Sequence, residues 1–416
     1  MRGRNVVAAP HSAVRSASRE MRQRFADHEN HTVSFGERIG GGQQGSVFRA
    51  TIAFAPNLFI EEISCVAKLA DGKLPSASEF ETHETITASS QLPSSESGVL
   101  TSIGIHTTNG TPYLLLPSCD LMLSECLHDL QELRLSQDPE KKLLFDALML
   151  AFFKSMVAAL TTFSRHNKVH GDIKPENCGL RRDKEGHLRS CLLDFGLSKS
   201  YAAYKNNTII TGSPRYIAPD AVAQENQLPF AIDTYAFGQI MSDLLGKERI
   251  FQEHEPFALL FKKGITHRAA RNLHPIKSNK ARKKDQATLL FKIKFYTDFN
   301  KCLEFIVTSL LETLPEYRPN LNTLKCALRH LTNLLPLEEN FEKKSLCFFD
   351  EIVKKKKNCQ RQPVEDVSIS VKSRTQAPLN PEKTPILQIN QSRLFSGHHR
   401  SACRGQVETS SSACVL

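Results

Sequence analysis

The segment that most constrains this chain runs from His170 to Asn177 and reads His-Gly-Asp-Ile-Lys-Pro-Glu-Asn. It follows an apolar run and places an acid, Asp172, close to a cation, Lys174, and to the carboxamide of Asn177. Side chains this close along the chain can face one reacting group, and this combination suits the handling of a phosphate. The same residue types are common in ordinary turns, so the segment alone is a modest signal.

A second polar motif follows at the end of an apolar strand. Residues 190–193 read Ser-Cys-Leu-Leu, and Asp194-Phe195-Gly196 come directly after them. This order puts a carboxylate at a strand end, beside a glycine that lets the chain turn away. The two motifs, seventeen residues apart from Asn177 to Asp194, are together far more specific than either alone.

A glycine-rich segment lies near the start of the predicted folded region. From Ile39 the chain reads Ile-Gly-Gly-Gly-Gln-Gln-Gly-Ser-Val, which fits the pattern GxGxxGxV. The patterned glycines are Gly40, Gly42 and Gly45, and the last position is Val47. Such glycines let two strands fold tightly over phosphates, although a flexible hairpin explains a lone pattern about as often. A dinucleotide-binding unit needs a helix directly afterwards, whereas a β-rich run follows here.

The next predicted strand, residues 64–69, carries one lysine in an apolar run. A buried lysine such as Lys68 is costly unless a carboxylate pairs with it, and an edge-strand lysine that points to solvent is the alternative. A predicted helix over residues 76–91 offers the partner. Glu84 is the preferred carboxylate, sixteen residues after Lys68, and Glu81 is the second choice.

In this order the motifs resemble those of eukaryotic-type protein kinases. The resemblance implies that Asp172 takes the proton of a substrate hydroxyl and that Lys174 neutralises charge on the transferred phosphate. It also implies that Asn177 and Asp194 hold magnesium, or manganese, ions. His170 is expected to be a structural residue.

The resemblance further implies that the chain binds ATP. Lys68, paired with Glu84, would grip the α and β phosphates. The other implied ATP-binding residues lie in the glycine-rich segment and on the lysine strand: Ile39, Gly40, Gly42, Gly45, Val47 and Val66.

The fold implied is α+β and bilobal, with a small antiparallel β lobe that carries one main helix and a larger, mainly α-helical lobe. The kinase domain is expected over residues 33–335, divided into an N-lobe at 33–116 and a C-lobe at 117–335. Residues 1–32 are expected to form a flexible basic arm. Residues 336–416 are expected to be a mostly disordered basic tail after one short amphipathic helix.

Residues 211–220 read Thr-Gly-Ser-Pro-Arg-Tyr-Ile-Ala-Pro-Asp and resemble the end of the family's activation segment. Asp220 stands where Glu is usual and is expected to pair with Arg318. Gly171 stands where most members carry an arginine that pairs with a phosphate on this segment. The resemblance therefore predicts a kinase that is active without phosphorylation of the segment.

The expected function is transfer of the ATP γ-phosphate to Ser or Thr hydroxyls of protein substrates, since Lys174 favours Ser/Thr over Tyr specificity. Two alternatives stay open. One is a pseudokinase scaffold without turnover, although no essential polar group is missing. The other is a lipid or small-molecule kinase, which generally lacks a segment like that ending at Asp220.

The formal net charge of +10 is unevenly distributed. Residues 262–284 hold nine Lys or Arg and no acid, which predicts a solvated basic loop or, alternatively, a docking site for an acidic partner. The charge is not concentrated on a domain with interleaved aromatic residues, so no specific nucleic-acid binding is expected. A monomer is expected.

The cysteines form no CxxC pair and are predicted to be reduced thiols, which favours a cytoplasmic location. The longest apolar run, from Leu143 to Leu160, contains Asp146 and Lys154 and is predicted to be a buried helix instead of a membrane span. A bacterial effector secreted into a host cell is a further hypothesis, based on the lack of Trp and the unpatterned ends.

Overall fold

The computed structural model describes most of the chain between residues 31 and 361. The described ranges are 31–42, 45–54, 62–69, 77–89, 97–182, 187–205, 211–223, 228–246, 286–312, 314–335 and 340–361. Three predicted features lie outside these ranges: the arm up to residue 30, the basic run 262–284 and the tail beyond residue 361.

The N-terminal part is one antiparallel sheet of five strands in the order β1-β2-β3-β5-β4. A small apolar cluster beneath it includes Ile52, Ala67 and Leu115, all of them completely buried. β1–β2, β2–β3 and β4–β5 pair as neighbours in chain order, whereas β3 pairs with β5 across the intervening helix and β4. The strands are β1 (His31–Gly42), β2 (Gly45–Phe54), β3 (Ile63–Leu69), β4 (Gly104–Thr108) and β5 (Thr111–Pro117).

One helix, α1 (Ala77–Ser89), accompanies this sheet. Glu79, Thr82, His83 and Ile86 are its buried residues among those whose side chains are described. Their spacing of three and four residues places them on one face of the helix. The predicted N-lobe, a small antiparallel sheet with one main helix, is therefore confirmed.

The rest of the described chain is mainly helical, as predicted for the larger lobe. Its core is one apolar cluster, in which Phe153, Phe237 and Ile306 are completely buried. The helices are α2 (Leu123–Leu135), α3 (Pro139–Arg165), α4 (Tyr201–Lys205), α5 (Pro219–Ala223), α6 (Pro229–Leu244), α7 (Gln286–Phe295), α8 (Phe299–Leu310), α9 (Leu321–Leu334) and α10 (Asn340–Arg361).

Helix α3 begins at Pro139, and the preceding residue, Asp138, caps it. The Asp138 side chain accepts a hydrogen bond from the backbone N–H of Glu140. Such a cap satisfies one of the free N–H groups of the first turn. In the described part of the chain it is the one helix long and apolar enough to cross a membrane, and 72% of its most apolar window is buried inside the protein. Its hydropathy is thus that of a core helix, as predicted.

Short strands in the helical part connect it to the site. Strands β6 (Leu121–Met122), β8 (Cys178–Arg182) and β9 (Leu188–Leu192) form a three-stranded sheet in the order β6-β8-β9. Strands β7 (Lys168–Val169) and β10 (Lys199–Ser200) pair with each other. The segment 170–177 therefore runs between β7 and β8, and Asp194 follows β9.

The amphipathic helix predicted after residue 335 is present and is longer than expected. Helix α10 has 22 residues and packs on the helical part through Phe341, Phe349 and Ile352, which are buried. Lys355 also pairs with Asp129 of α2 at 3.1 Å. The helix is longer than expected because its apolar face fits a groove on the domain, and this contact is not visible in local sequence.

Candidate active site

The segment 170–177 forms a loop whose side chains converge on one carboxylate. Oδ2 of Asp172 accepts hydrogen bonds from Nζ of Lys174 at 2.7 Å and from Nδ2 of Asn177 at 3.1 Å. Its Oδ1 accepts a bond from the hydroxyl of Ser213 at 2.7 Å, and Lys174 also donates to that hydroxyl at 3.0 Å. The structure thus brings together three predicted residues and the residue from the activation segment.

The backbone of this loop is held from below by Asp233 on α6. Its two carboxylate oxygens accept the N–H groups of His170 at 2.8 Å and Gly171 at 3.0 Å. Burial raises the pKa of Asp233 in spite of these bonds. The His170 ring lies against the carbonyl of Leu193 at 3.0 Å, so His170 has a structural position, as predicted.

Gly171 has a backbone conformation that favours glycine, with φ at +78°. A Cβ atom at this position would lie 3.2 Å from the carbonyl oxygen of Leu197. A side chain here is therefore disfavoured by backbone strain as well as by space. The loop holds its shape through Asp233 without an arginine at this position.

Lys68 on β3 joins two carboxylates. Its Nζ donates to Oε1 of Glu79 at 2.7 Å and to Oδ1 of Asp194 at 2.6 Å. Burial alone would lower the pKa of Lys68, but the two carboxylates outweigh it and raise that pKa. Burial favours the neutral form of Asp194, but the ammonium of Lys68 lowers its pKa, so this carboxyl group is charged at neutral pH.

The predicted pairing of Lys68 with Glu84 is wrong, because the partner is Glu79 in the first turn of α1. Glu84 is exposed. The second choice, Glu81, is also exposed and lies 3.9 Å from Lys168. The buried face of α1 decides the outcome, because Glu79 shares that face with Ile86, seven residues further on. That face is mostly polar, with Thr82 and His83 buried beside Ile86, so the sequence carries no apolar periodicity that identifies Glu79.

Asp194 has φ at +61°, which is uncommon for a residue with a side chain. The next residue, Phe195, is completely buried and stacks on His83 of α1 with ring centroids 4.3 Å apart. It also makes an edge contact with Phe163 of α3 at 5.3 Å. The packing of Phe195 holds the Asp194 backbone in its uncommon conformation, so that the Asp194 carboxylate stays directed at Lys68.

Lys168, which the sequence did not single out, links the start of the segment 170–177 to α1. It lies on β7, two residues before His170, and its side chain is buried. Its Nζ donates to the hydroxyl of Thr82 at 3.1 Å and lies 3.9 Å from a carboxylate oxygen of Glu81. A buried lysine requires polar partners, and here both come from the helix that carries Glu79.

The glycine-rich segment forms the hairpin of β1 and β2, with Gly40 opposite Val47 and Gly42 opposite Gly45. Val47 in turn lies opposite Lys68 on β3. The hairpin is thus next to the lysine that joins the two carboxylates. Two further residues predicted to bind ATP lie on these strands: Ile39, exposed on β1, and Val66, opposite Leu116 on β5.

The expected ion pair between Asp220 and Arg318 is present. Its shortest distance is 2.6 Å, and both side chains are completely buried. Arg318 also donates to the backbone carbonyls of Ala231 and Glu312. Asp therefore serves where Glu is usual, and this pair fixes the end of the activation segment to the helical part.

Comparison with known proteins identifies the family. A family model described as "Protein kinase domain" matches residues 33–330, well over half of the chain. Among curated proteins, the serine/threonine-protein kinase ULK3 of Rattus norvegicus is 25% identical over 210 residues, which are 50% of this chain and 40% of the relative.

Two further relatives match shorter stretches. A probable serine/threonine-protein kinase of Dictyostelium discoideum is 33% identical over 133 residues, 31% of this chain and 28% of the relative. The carbon catabolite-derepressing protein kinase of Saccharomyces cerevisiae is 32% identical over 111 residues, 27% of this chain and 17% of the relative.

The chain covers less than half the length of each of these three relatives. All three are eukaryotic, so the hypothesis of a bacterial effector finds no support in them. The two-part fold, the cluster around Asp172 and the domain match over residues 33–330 agree with one another. The chain therefore belongs to the eukaryotic-type serine/threonine protein kinase family.

Proposed function

We propose that this chain transfers the γ-phosphate of ATP to Ser or Thr hydroxyls of protein substrates. The observation that carries the proposal is the arrangement of Asp172, Lys174 and Ser213 in mutual hydrogen bonds. Opposite this cluster, Lys68 is already paired with Glu79 and Asp194. The two sets of charges suit a reaction in which the protein mainly positions its reactants and stabilises charge.

Each residue of the cluster has a role in this proposal. Asp172 accepts the proton of the attacking hydroxyl, and Lys174 stabilises negative charge on the transferred phosphoryl group. Ser213 and Asn177 hold the Asp172 carboxylate from both oxygens, so it needs no reorientation when the substrate arrives. Lys68 holds the α and β phosphates, and Glu79 keeps its side chain extended towards them.

The residues fit divalent metal ions bound together with a nucleotide. Among the described residues, no three or more His, Cys, Asp or Glu side chains are grouped to hold a metal alone. Magnesium takes few protein ligands and completes its shell with phosphate oxygens and water, and when bound it neutralises charge on the phosphates. Asn177, oriented by the bonds of its amide N–H₂ to Asp172, and the ionised Asp194 would supply oxygen ligands.

We also propose that catalysis does not require a phosphate on the activation segment. Gly171 has no side chain with which to pair such a phosphate. The loop backbone is instead held by Asp233, which accepts the N–H groups of His170 and Gly171. Lys68 contacts both Glu79 and Asp194, and neither contact involves a residue of the activation segment 211–220. These features support activity of the unmodified enzyme.

A protein substrate is favoured over a lipid or a small molecule because the segment 211–220 is built into the fold. Asp220 ties its end to Arg318, and Tyr216 donates to Asp243 at 3.0 Å.

A cytoplasmic site of action is also proposed, supported by the eight described cysteines, all of which are free thiols. We also propose that the basic run 262–284 is a docking site for an acidic partner, because it holds nine Lys or Arg and no acid.

The test is a phosphotransfer assay on the phosphatase-treated full chain with labelled ATP and magnesium. Generic protein acceptors are compared with a panel of lipids and small hydroxyl compounds, and phosphoamino-acid analysis identifies the product. We expect labelled Ser or Thr in protein. Labelling of the small acceptors alone would assign a different substrate class, and nucleotide binding without transfer would make the chain a pseudokinase.

A further inference from the structure

Two thiols that take no part in the proposed reaction meet behind the junction of the two lobes. Sγ of Cys119 and Sγ of Cys191 are 3.9 Å apart, although the residues are separated by 72 positions in the chain. Cys119 follows β5 in the segment that enters the helical part, and Cys191 lies on β9. Both are free thiols.

The two cysteines meet because the strand between them carries a glycine. Strand β8 lies between β6 and β9, and its residue Gly179 is opposite Cys191. A Cβ atom at Gly179 would overlap Sγ of Cys119 and lie 3.0 Å from Cδ1 of Leu193. The space in which the thiols meet therefore depends on the absence of a side chain at this position.

The surroundings favour reaction between these two sulfurs. Cys119 is partly exposed, whereas Cys191 is buried in an apolar cluster with Leu100 and Leu116. The contact with Cys119 outweighs burial and, with the positive charge of Arg181, lowers the pKa of Cys191, whereas the same contact and burial raise the pKa of Cys119. A thiolate is the reactive form of cysteine, so one sulfur of the pair is activated by the other.

We propose that Cys119 and Cys191 form a modification site at which hydrogen peroxide produces a disulfide. One thiolate attacks a peroxide oxygen and becomes a sulfenic acid, while the O–O bond breaks and the second oxygen leaves as water after protonation. The sulfur of the other cysteine then loses its proton and attacks the sulfenic sulfur, and the displaced hydroxide takes up a proton and leaves as a second water. In total, two thiols lose two electrons and two protons, and one peroxide is reduced to two waters.

The disulfide needs a small movement of Cys119. The sulfurs must approach from 3.9 Å to a bond length of about 2.05 Å. Cys119 lies between the end of β5 and the start of β6, so the movement falls on a connection instead of a central strand. The bond would tie this connection to β9, whose end leads to Asp194, and we expect reversible loss of phosphotransfer activity.

The experiment exposes the reduced full-length protein to hydrogen peroxide, blocks remaining thiols with N-ethylmaleimide and identifies linked peptides by mass spectrometry before and after dithiothreitol. We expect a Cys119–Cys191 peptide pair that disappears on reduction. It should be lost in Cys119→Ser and in Cys191→Ser. The matched control is Cys347→Ser, which removes an exposed thiol on α10 and should leave the pair unchanged.

A second variant tests the geometry. Gly179→Ala should slow formation of the linked pair several-fold, because the added methyl group pushes the thiols apart. The melting temperature is measured in parallel, and Cys119→Ala, which removes the sulfur that the new methyl group would overlap, is expected to restore part of the stability lost in Gly179→Ala. If oxidised wild type links Cys119 to a different cysteine, or oxidises Cys347 without forming the pair, the proposal is overturned. Equal rates of linkage in wild type and Gly179→Ala would overturn the role of Gly179.

Discussion

The two halves of the active site are held in different ways. In the helical part, Asp172 receives hydrogen bonds from Lys174, Asn177 and Ser213, and the loop backbone is bound to Asp233. In the β lobe, the position of Lys68 depends on two carboxylates, one of which belongs to the other half. The loop 170–177 is thus fixed by many contacts within its own lobe, and the lysine by two contacts, of which the one to Asp194 joins the two lobes.

This difference assigns separate tasks to the two regions. Contacts within one lobe preorganise Asp172 whatever the β lobe does. The orientation of Glu79, by contrast, depends on how α1 sits against the helical part, where Lys168 bonds Thr82 and Phe195 stacks on His83. Regulation of activity is therefore expected to act on α1 more than on the catalytic loop.

The largest effect is expected where the two halves share one residue. Asp194→Asn should abolish transfer, because the amide loses the charge that pairs with Lys68 and that is proposed to hold the metal. Steady-state turnover is measured beside circular dichroism, which should stay unchanged. Wild-type turnover in this variant would refute the proposed site.

Within the helical half, Asp172→Ala should lower kcat by about 10²–10⁴, the usual range for loss of a general base. The remaining contacts of the loop to Asp233 should preserve the fold. Pre-steady-state measurements would locate the loss in the chemical step. A loss below about tenfold would place the base at another residue.

Within the β lobe, Glu79→Gln should lower kcat/KM by about tenfold to a hundredfold, because a hydrogen bond to a charged group is worth about 1.5–3 kcal/mol. Its matched control is Glu84→Gln on the exposed side of the same helix, which should behave as wild type. The reverse result, with Glu84 sensitive and Glu79 silent, would show that α1 has another register in the active enzyme.

The hydrogen bond from Lys168 of the helical lobe to Thr82 on α1 should have a smaller effect. Lys168→Met should lower activity about threefold to tenfold, since a net hydrogen bond contributes about 0.5–1.5 kcal/mol. Lys168→Arg should restore part of the loss, and Lys168→Met should add little in a Thr82→Val background, because the two residues share one bond. Exposed Lys142 on α3 supplies the control substitution to Met. Fully additive losses would show that Lys168 acts without Thr82.

The smallest effect is expected in the activation segment. Replacing Ser200, Thr208 and Thr211 together with Ala should leave the activity of phosphatase-treated enzyme unchanged. Ser198 is kept in this variant because its buried hydroxyl donates to the carbonyl of His170 at 3.3 Å. If phosphatase treatment silences the wild type and the triple variant is equally inactive, a basic residue such as Arg215 pairs with a loop phosphate.

The sequence alone was sufficient for the catalytic loop and for the two-lobed fold. Asp172, Lys174 and Asn177 lie within six positions of one another, so a single turn brings them together once the flanking strands form. The small antiparallel lobe was likewise expected, because the order of the motifs resembles that of protein kinases. In the catalytic loop the residues that interact are close in sequence, and local pattern carries the information.

Tertiary structure decided the contacts between distant elements. Choosing Glu79 over Glu84 requires the rotation of α1 about its axis, which depends on what Ile86 and His83 pack against. The pairing of Lys168 with Thr82 spans 86 positions, and the packing of α10 depends on a groove formed by other helices. A helix exposes several equivalent carboxylates to any partner, and only burial of one face selects among them.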